Sequence, residues 1–273
     1  MSISIILTTC NRPIEIVRRA VDSVLAQTLL TDTQLIIVND YPKDKLLSEK
    51  ISGLADYVRE KLECTYLEMQ ENMGACEARN RGVMEAKGEY LAFLDDDDIW
   101  MPRKLEKQLD YMKSHKTVMV TGYVEEHING TVRICNRKPL PEENPMEKLL
   151  EYNYIGGCSV PLMSREAFDR VGGFDSQYKS SQDYCLWLKL LKTGDIGFIE
   201  EPLVIYEAGR DGITGNPVKR KQGWNRLLRD FKSDFKKYPI ARKNFCYTAA
   251  AAMKENERIP DSLIFRIRGK FGL

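Results

Sequence analysis

The run Tyr90-Leu91-Ala92-Phe93-Leu94-Asp95-Asp96-Asp97-Asp98 decides the fold: a short apolar stretch passes without a break into four carboxylates. Its apolar half reads as a buried strand. Working outward, Ile3 to Thr8 is a second such run and ends in Thr8-Thr9. Leu35-Ile36-Ile37-Val38 is a third and ends in Asn39-Asp40. Between the first two strands, Asn11-Arg12-Pro13 breaks the chain, and Ile14, Val17, Val21, Val24 and Leu25 then fall at helical spacing opposite Arg18, Arg19 and Asp22. Pro13 suits a first helical turn. Residues 43–62 and 75–86 are expected to be helical, and Thr65 to Met69 extended. This alternation of strand and helix predicts a parallel sheet with helices on both faces. Ligands bind such sheets at the carboxyl ends of the strands. Thr8-Thr9, Asn39-Asp40 and Asp95–Asp98 each follow a strand, so three strands deliver polar groups to one edge.

Beyond residue 115 the pattern changes. Val118–Val124 and Thr131–Cys135 are expected strands joined at an Asn129-Gly130 turn. Pro139, Pro141 and Pro145 mark a loop. A turn at Gly156-Gly157, a strand near 158–163, a helix from Arg165, a helix near 182–193 and a strand near 202–206 follow. Residues 207–219 are glycine-rich and read as a loop, and the chain is expected to be helical from 222. The pattern divides residues 1–215 into a first half to about 115 and a second half after it. A basic helical extension covers 216–273.

The 273 residues are 43% hydrophobic and 30% charged, as in an ordinary globular protein. No apolar run reaches the roughly 18–20 residues of a membrane span, and Met1–Leu7 reads as strand rather than signal peptide. A cytoplasmic location is therefore expected. Seven scattered cysteines without a C-x-x-C pair fit free thiols in a reducing compartment. With only His115 and His127, most histidine mechanisms lack candidates, and a zinc site is not expected. The net charge of +1 hides an asymmetry: from residue 216 onward 15 Lys or Arg face 5 Asp or Glu, a net of +10 against −9 for the rest. In that tail Trp224, Leu227, Leu228, Phe231 and Phe235 make an apolar stripe backed by Arg226, Arg229, Lys232, Lys236 and Lys237. Two readings stand: a helix on an anionic membrane surface, or a helix docked on the protein. No nucleic-acid partner is expected.

Four adjacent carboxylates repel, and a hard divalent cation with a diphosphate offsets them through oxygen ligands; a solvated turn capping the next helix, expected to start at Pro102, is the plainer reading. Asp40 can accept from a base N–H or a ribose hydroxyl, or can be a turn residue. In Asn72-Met73-Gly74, Gly74 permits close approach and the following helix start favours phosphate. Arg79 can reach a phosphate or an acidic side chain, or form a structural salt bridge. Asp183, at a helix start, is either a cap or a general base for a hydroxyl.

Taken in order, these pieces resemble the inverting glycosyltransferases of family 2. They are Ile5–Pro13, Ser23–Thr28, Ile37–Asp40, Asn72-x-Gly74, Ala78-Arg79-Asn80-x-Gly82, Phe93–Asp98 with Trp100 and Pro102, Gly172–Asp175 and Gln182–Trp187. The resemblance spans roughly residues 3–206 and implies a catalytic domain at 1–215, with a nucleotide-binding half to about 115 and an acceptor half after it. It implies the GT-A fold, an α/β, Rossmann-like, mixed but mainly parallel sheet flanked by helices, with transfer of a sugar from a nucleotide-sugar to an acceptor hydroxyl with inversion. It implies a uridine donor and a glycan or lipid-linked glycan acceptor. It assigns Asp97 to a metal, Mn2+ or Mg2+, Asp183 to the catalytic base and Asp40 to the nucleotide base. Thr9, Asn11, Arg12, Asn72, Gly74, Arg79, Asp95 and Asp96 are the remaining expected contacts to the nucleotide-sugar. Three departures stand out: Asn39 replaces the family's first aspartate, Gln182 its glutamate, and Tyr206-Glu207-Ala208-Gly209-Arg210 lacks the late histidine. Metal binding then rests on Asp97, diphosphate and water, with Glu207 or Asp211 as further candidates. Two rival functions share this architecture: a nucleotidyltransferase that makes nucleotide-sugars, whose glycine-rich loop is missing after the first strand, and a non-catalytic sugar-binding relative, against which Asp97 and Asp183 argue.

Overall fold

A computed structural model describes residues 2–128, 130–135, 138, 143–207, 216–256 and 258–271. Asn129, Pro139, Pro141, most of the expected glycine-rich loop and Asp211 lie outside the described residues. The chain divides into two compact units. The first comprises residues 1–137, 155–174 and 189–208; the second comprises 138–154, 175–188 and 209–273.

The first unit is built on a sheet of nine strands among the described residues. Strands β1 (Ile3–Thr9), β2 (Thr33–Asn39), β3 (Glu63–Glu68) and β4 (Tyr90–Asp95) pair in parallel in the order β3-β2-β1-β4. β1 and β2 are buried on both faces, which is why they are nearly continuous apolar runs rather than alternating ones. The four strands are linked in turn by α1 (Ile14–Leu25), α2 (Lys45–Arg59) and α3 (Ala75–Glu85). α1 buries Val17, Ala20, Val21 and Val24, close to the stripe its sequence spacing predicts. Asp44 caps α2 by accepting from the Leu47 N–H at 3.0 Å.

The sheet continues past β4 with mixed pairing. β8 (Leu162–Ser164), which leads into the short helix α6 (Arg165–Arg170), is antiparallel to β4 and to β6 (Met119–Ile128), and β6 is parallel to β9 (Ile196–Glu207). β5 (Asp98–Trp100) closes the far edge antiparallel to β9, and β7 (Thr131–Cys135) pairs with β6. The parallel part of the sheet, β3-β2-β1-β4, thus joins a mixed second part.

Four element assignments change. β5 lies inside what reads as a turn, because three residues carry no periodicity and their strand character comes from pairing with Val204–Tyr206. α4 (Lys104–His115) consequently starts after Pro102. The expected strand near 202–206 is the end of the twelve-residue β9, whose pairing with β6 is offset beside Gly122 and Tyr123. Pro145 opens a short helix, α5 (Pro145–Glu151), capped by Asn144, instead of belonging to a loop.

In the second unit, the start of α7 (Gln182–Leu190) is followed by α8 (Pro217–Asp230), α9 (Lys232–Lys237), α10 (Pro239–Glu255) and α11 (Ile259–Phe271). α8 begins five residues earlier than the apolar stripe suggests, because Asn216 accepts from two amides and Pro217 takes the first turn. Leu227, Phe231 and Phe235 are buried, and Trp224 and Leu228 pack on Ala249, Ala250, Met253 and Phe265. Of the two readings of that stripe, this is the docked arrangement.

Packing of α3 on the sheet depends on Gly82. A Cβ there would lie 2.5 Å from Ile6 Cγ2 and 3.2 Å from Val38 Cγ2. Gly82→Ala is expected to destabilise the fold by about 1–3 kcal/mol, the usual cost of overpacking a filled core. Chemical denaturation of the two proteins checks this, and an unchanged midpoint would mean that α3 shifts freely.

Candidate active site

Register brings the three polar clusters of the first unit to one edge. Thr9 pairs with Asn39, and Thr8 with Asp95, so the carboxyl ends of β1, β2 and β4 lie side by side. Asn39 is wholly buried and faces inward: its Nδ2 donates to the Ser48 hydroxyl at 2.9 Å, and its Oδ1 accepts from the Tyr41 N–H at 3.0 Å.

Asp40 organises the next layer. Its two carboxylate oxygens accept from the N–H groups of Met73 and Gly74, each at 2.8 Å. Asn72 donates from Nδ2 to the Asp40 carbonyl and to Cys10 Sγ, both at 3.0 Å. Gly74 caps α3 with φ +88, a conformation costly for other residues; the space around its α-carbon is open, so conformation rather than room calls for glycine. Burial raises the Asp40 carboxyl from its ordinary range, and the two amide bonds oppose this.

The four aspartates divide among separate partners. Asp95 meets Arg79, whose Nη2 donates to Oδ1 at 2.5 Å. The Arg79 side chain is only 8% exposed, lies 5.4 Å over the Phe174 ring, and leaves its Nε buried without a partner. Arg12 bridges the next two: Nε donates to Asp96 at 3.0 Å and Nη2 to Asp97 at 2.9 Å. Asp98 faces inward on β5, where the Ser159 hydroxyl donates to it, and the same hydroxyl accepts from the Asp95 N–H at 3.0 Å. Burial raises the carboxyls of Asp96, Asp97 and Asp98, Asp98 most; Arg12 pulls the first two back, while neighbouring aspartates push all three further up.

Thr9 completes the edge. Its hydroxyl is buried close to the Asp96 carboxylate but short of full hydrogen-bond geometry, so it is left without a partner. Asn11 lies in the same β1–α1 loop, exposed, with φ +50. Thr9, Arg12, Asp40, Asn72, Gly74, Arg79, Asp95, Asp96 and Asp97 are therefore gathered at one edge of the first unit.

This edge suits a divalent cation. Two guanidiniums face four carboxylates, and Asp97 keeps 40% of its side chain exposed against 8% for Asp96. Among the described residues no three His, Cys, Asp or Glu side chains stand ready to enclose a metal. Asp97 would then share the ion with oxygens from a diphosphate and from water. Glu207 ends β9, and Asp211 is outside the described residues.

Asp183 belongs to the second unit, half-buried in the first turn of α7. Its Oδ1 accepts from the N–H of the next residue, Tyr184, at 2.7 Å. An N-cap accepts from an amide two or three residues on, so this bond is not that of a cap. Tyr184 is itself fixed by donating its hydroxyl to the Leu149 carbonyl.

Sequence reasoning missed Ser159 and understated Asn80. Asn80 clamps the Gly172–Asp175 motif: Nδ2 donates to the Phe174 carbonyl at 2.8 Å, and Oδ1 accepts from the Phe174 N–H at 3.1 Å. Ser159 has no local signal, because its role exists only once β5 turns Asp98 inward.

The sequence model described as "Glycosyl transferase family 2" matches residues 4–172. A Haemophilus influenzae protein named "Uncharacterized glycosyltransferase" is 31% identical over 192 residues, covering 70% of this chain and 62% of that protein. A Rickettsia conorii relative with a like name is 32% identical, but the match covers only 33% of its length. The chain thus spans less than two thirds of these relatives. The "Putative teichuronic acid biosynthesis glycosyltransferase TuaG" of Bacillus subtilis is 33% identical over 194 residues, 70% of this chain and 74% of that protein. Among solved structures, S. aureus TarS 1-349 in complex with UDP has a TM-score of 0.64 at 14% identity, covering 100% of this chain and 92% of that one. Mannosyltransferase PcManGT from Pyrobaculum calidifontis, in complex with GDP-Man and Mn2+, has 0.68 at 17% identity, covering 96% and 73%. These likenesses establish the GT-A fold.

Arg79→Ala should destabilise the protein by about 2–3 kcal/mol in denaturant unfolding. That is below the 3–5 of a fully buried pair, because Asp95 keeps 34% exposure. Arg79→Met with Asp95→Leu should recover most of the loss. If the double variant is as unstable as Arg79→Ala alone, the pair is not what holds the edge.

Proposed function

Because the chain belongs to glycosyl transferase family 2, we propose that it transfers a sugar from a uridine diphosphate sugar to a hydroxyl of a glycan or lipid-linked glycan, with inversion and with Mn2+ or Mg2+ bound. The observation that carries this is the edge where Asp40, the Asn72–Gly74 turn and the partly open Asp97 converge. The complexes of TarS with UDP and UDP-GlcNAc support a uridine donor, and that of PcManGT with GDP-Man and Mn2+ supports the wider donor class and the metal.

In this reading Thr9 and Asp40 face the nucleoside, the unpartnered Thr9 hydroxyl offering a contact not spent on the protein. Asp95 and Asp96 address ribose or sugar hydroxyls, with Arg79 and Arg12 setting their positions. The Met73 and Gly74 amides are held by Asp40, and the first-turn amides of α3 beyond them are directed to phosphate. Asp97 holds the cation, which supplies positive charge to the leaving diphosphate. Asp183 takes the proton from the acceptor hydroxyl as its oxygen bonds to the anomeric carbon and the bond to the diphosphate oxygen breaks. One displacement without an enzyme nucleophile inverts the configuration.

Two measurements test this. Titration of UDP with Mn2+ into the wild type and Asp97→Ala should show a loss on the order of 2–5 kcal/mol for the variant. Equal affinity, with and without Mn2+, would remove the metal role. Asp183→Asn keeps the shape and removes the basicity. It should leave UDP binding nearly unchanged and lower turnover roughly 10²–10⁴-fold. Near-normal turnover in this variant, or an α-linked first product from an α-linked donor by proton NMR, would show that the base lies elsewhere.

A further inference from the structure

Large apolar side chains exposed to solvent are concentrated at one place. Of thirteen among the described residues, six lie on α10 and α11: Ile240, Tyr247, Ile259, Leu263, Ile264 and Ile267. On α11, Ile259, Leu263 and Ile267 recur every four residues and form one stripe. Ser262, Phe265 and Gly269 on the other side of the helix are buried. Gly269 marks the close crossing: a Cβ there would lie 3.2 Å from Cys246 Cβ on α10.

Basic residues share the outward stripe. Arg266 and Lys270 are exposed beside it on α11, and α10 exposes Lys243, Tyr247, Ala251 and Lys254 at helical spacing. The two stripes meet at a shallow cleft of about 310 Å³ lined by Tyr247, Ala251, Arg266 and Lys270, so they belong to one face of the helix pair. The acidic residue of α11 is turned away from it. Asp261 is 5% exposed and paired with Lys221 at 2.5 Å and Arg258 at 2.7 Å.

We propose that this face docks on an anionic lipid bilayer, lying in the interface with Ile259, Leu263, Ile264 and Ile267 toward the acyl chains and Arg266, Lys270, Lys243 and Lys254 toward lipid phosphates. An apolar strip flanked by Lys and Arg is the composition that the interfacial layer rewards on both counts. Charge selects the occupant: the segment from residue 216 carries a net of +10, which repels a second copy of the same face and attracts anionic lipid. No helix among the described residues is long and apolar enough to cross a membrane, so the contact lies on the bilayer and not through it. It is also distinct from the stripe on α8 and α9, whose Leu227, Phe231 and Phe235 are covered by protein.

Flotation of the full chain with phosphatidylcholine vesicles, and with vesicles that also contain phosphatidylglycerol, tests the proposal at low and high salt. Binding should require the anionic lipid and fall with salt. Each Lys or Arg near such a surface is worth about fivefold, so Arg266→Gln with Lys270→Gln should weaken binding roughly 25-fold. Leu263→Asn with Ile267→Asn should weaken it about a hundredfold through lost apolar burial. Lys43→Gln with Lys50→Gln, the same charge loss in the first unit, should leave it unchanged. All three pairs are exposed, so circular dichroism melts should coincide with the wild type and UDP binding should persist. Equal binding to both vesicle types, binding to neither, or indifference to the α11 pairs would overturn the proposal. So would a dimer in sedimentation velocity that dissociates in the Leu263 and Ile267 variant, since the face would then be a contact between copies.

Discussion

Four consecutive carboxylates at the end of a buried strand cannot stand together unless each finds a counter-charge or a proton donor. The chain solves this by alternation of direction. Asp95 meets Arg79 from α3, Asp96 and Asp97 meet Arg12 from the loop after β1, and Asp98 turns inward to Ser159. Each partner comes from a different segment, so the aspartate run ties four parts of the first unit together. A short strand is needed for the last step. β5 begins at Asp98 because its pairing with β9 aims that side chain into the protein.

The same economy governs the neighbouring end of β2. Asp40 uses both carboxylate oxygens to hold the Met73 and Gly74 amides, which fixes the entry to α3. α3 then carries Arg79 back to Asp95 and Asn80 to Phe174. Phe174 in turn packs edge-on against Phe93 of β4 at 5.0 Å. A path of direct contacts thus runs from the end of β2 through one helix to the apolar half of the aspartate strand. Each acceptor oxygen retains a second lone pair, so holding the scaffold does not exhaust what Asp40 can offer a ligand.

Much of this was legible in the sequence where one element supplies the signal. The apolar runs of β1, β2 and β4 and the periodicity of α1 appear almost as read, because burial on both sheet faces or on one helix face dictates composition. The convergence of Thr9, Asp40 and Asp95 was legible too, since parallel strands place their carboxyl ends together. What was not legible depends on pairing between distant segments. β5 exists because it pairs with Val204–Tyr206 of β9, and β9 reaches its full length because it pairs with β6 from Ile196 to Glu207. Ser159 matters only after that pairing forms. α5 was hidden for the opposite reason: Pro145 reads as a breaker, yet behind the Asn144 cap it starts a helix. The partner of Arg79 was left open by sequence, because a guanidinium suits phosphate and carboxylate equally.

The unequal exposure of the aspartates bears on the order in which ligands enter. Two guanidiniums do not neutralise four carboxylates, and the most open of the set, Asp97, is already bonded to Arg12. A diphosphate brought to this edge alone would meet like charge. At 4 Å and an effective dielectric of about 20, each such pair costs about 4 kcal/mol. A divalent cation between the two reverses the sign of the nearest terms. On the proposed function, cation and diphosphate therefore complete one another's site, since the protein contributes Asp97 and the donor contributes its own oxygens. This fits a chain without the family's late histidine: fewer protein ligands leave the cation weakly held until the donor arrives. On that reading the metal is a condition of donor binding as much as of the transfer that follows.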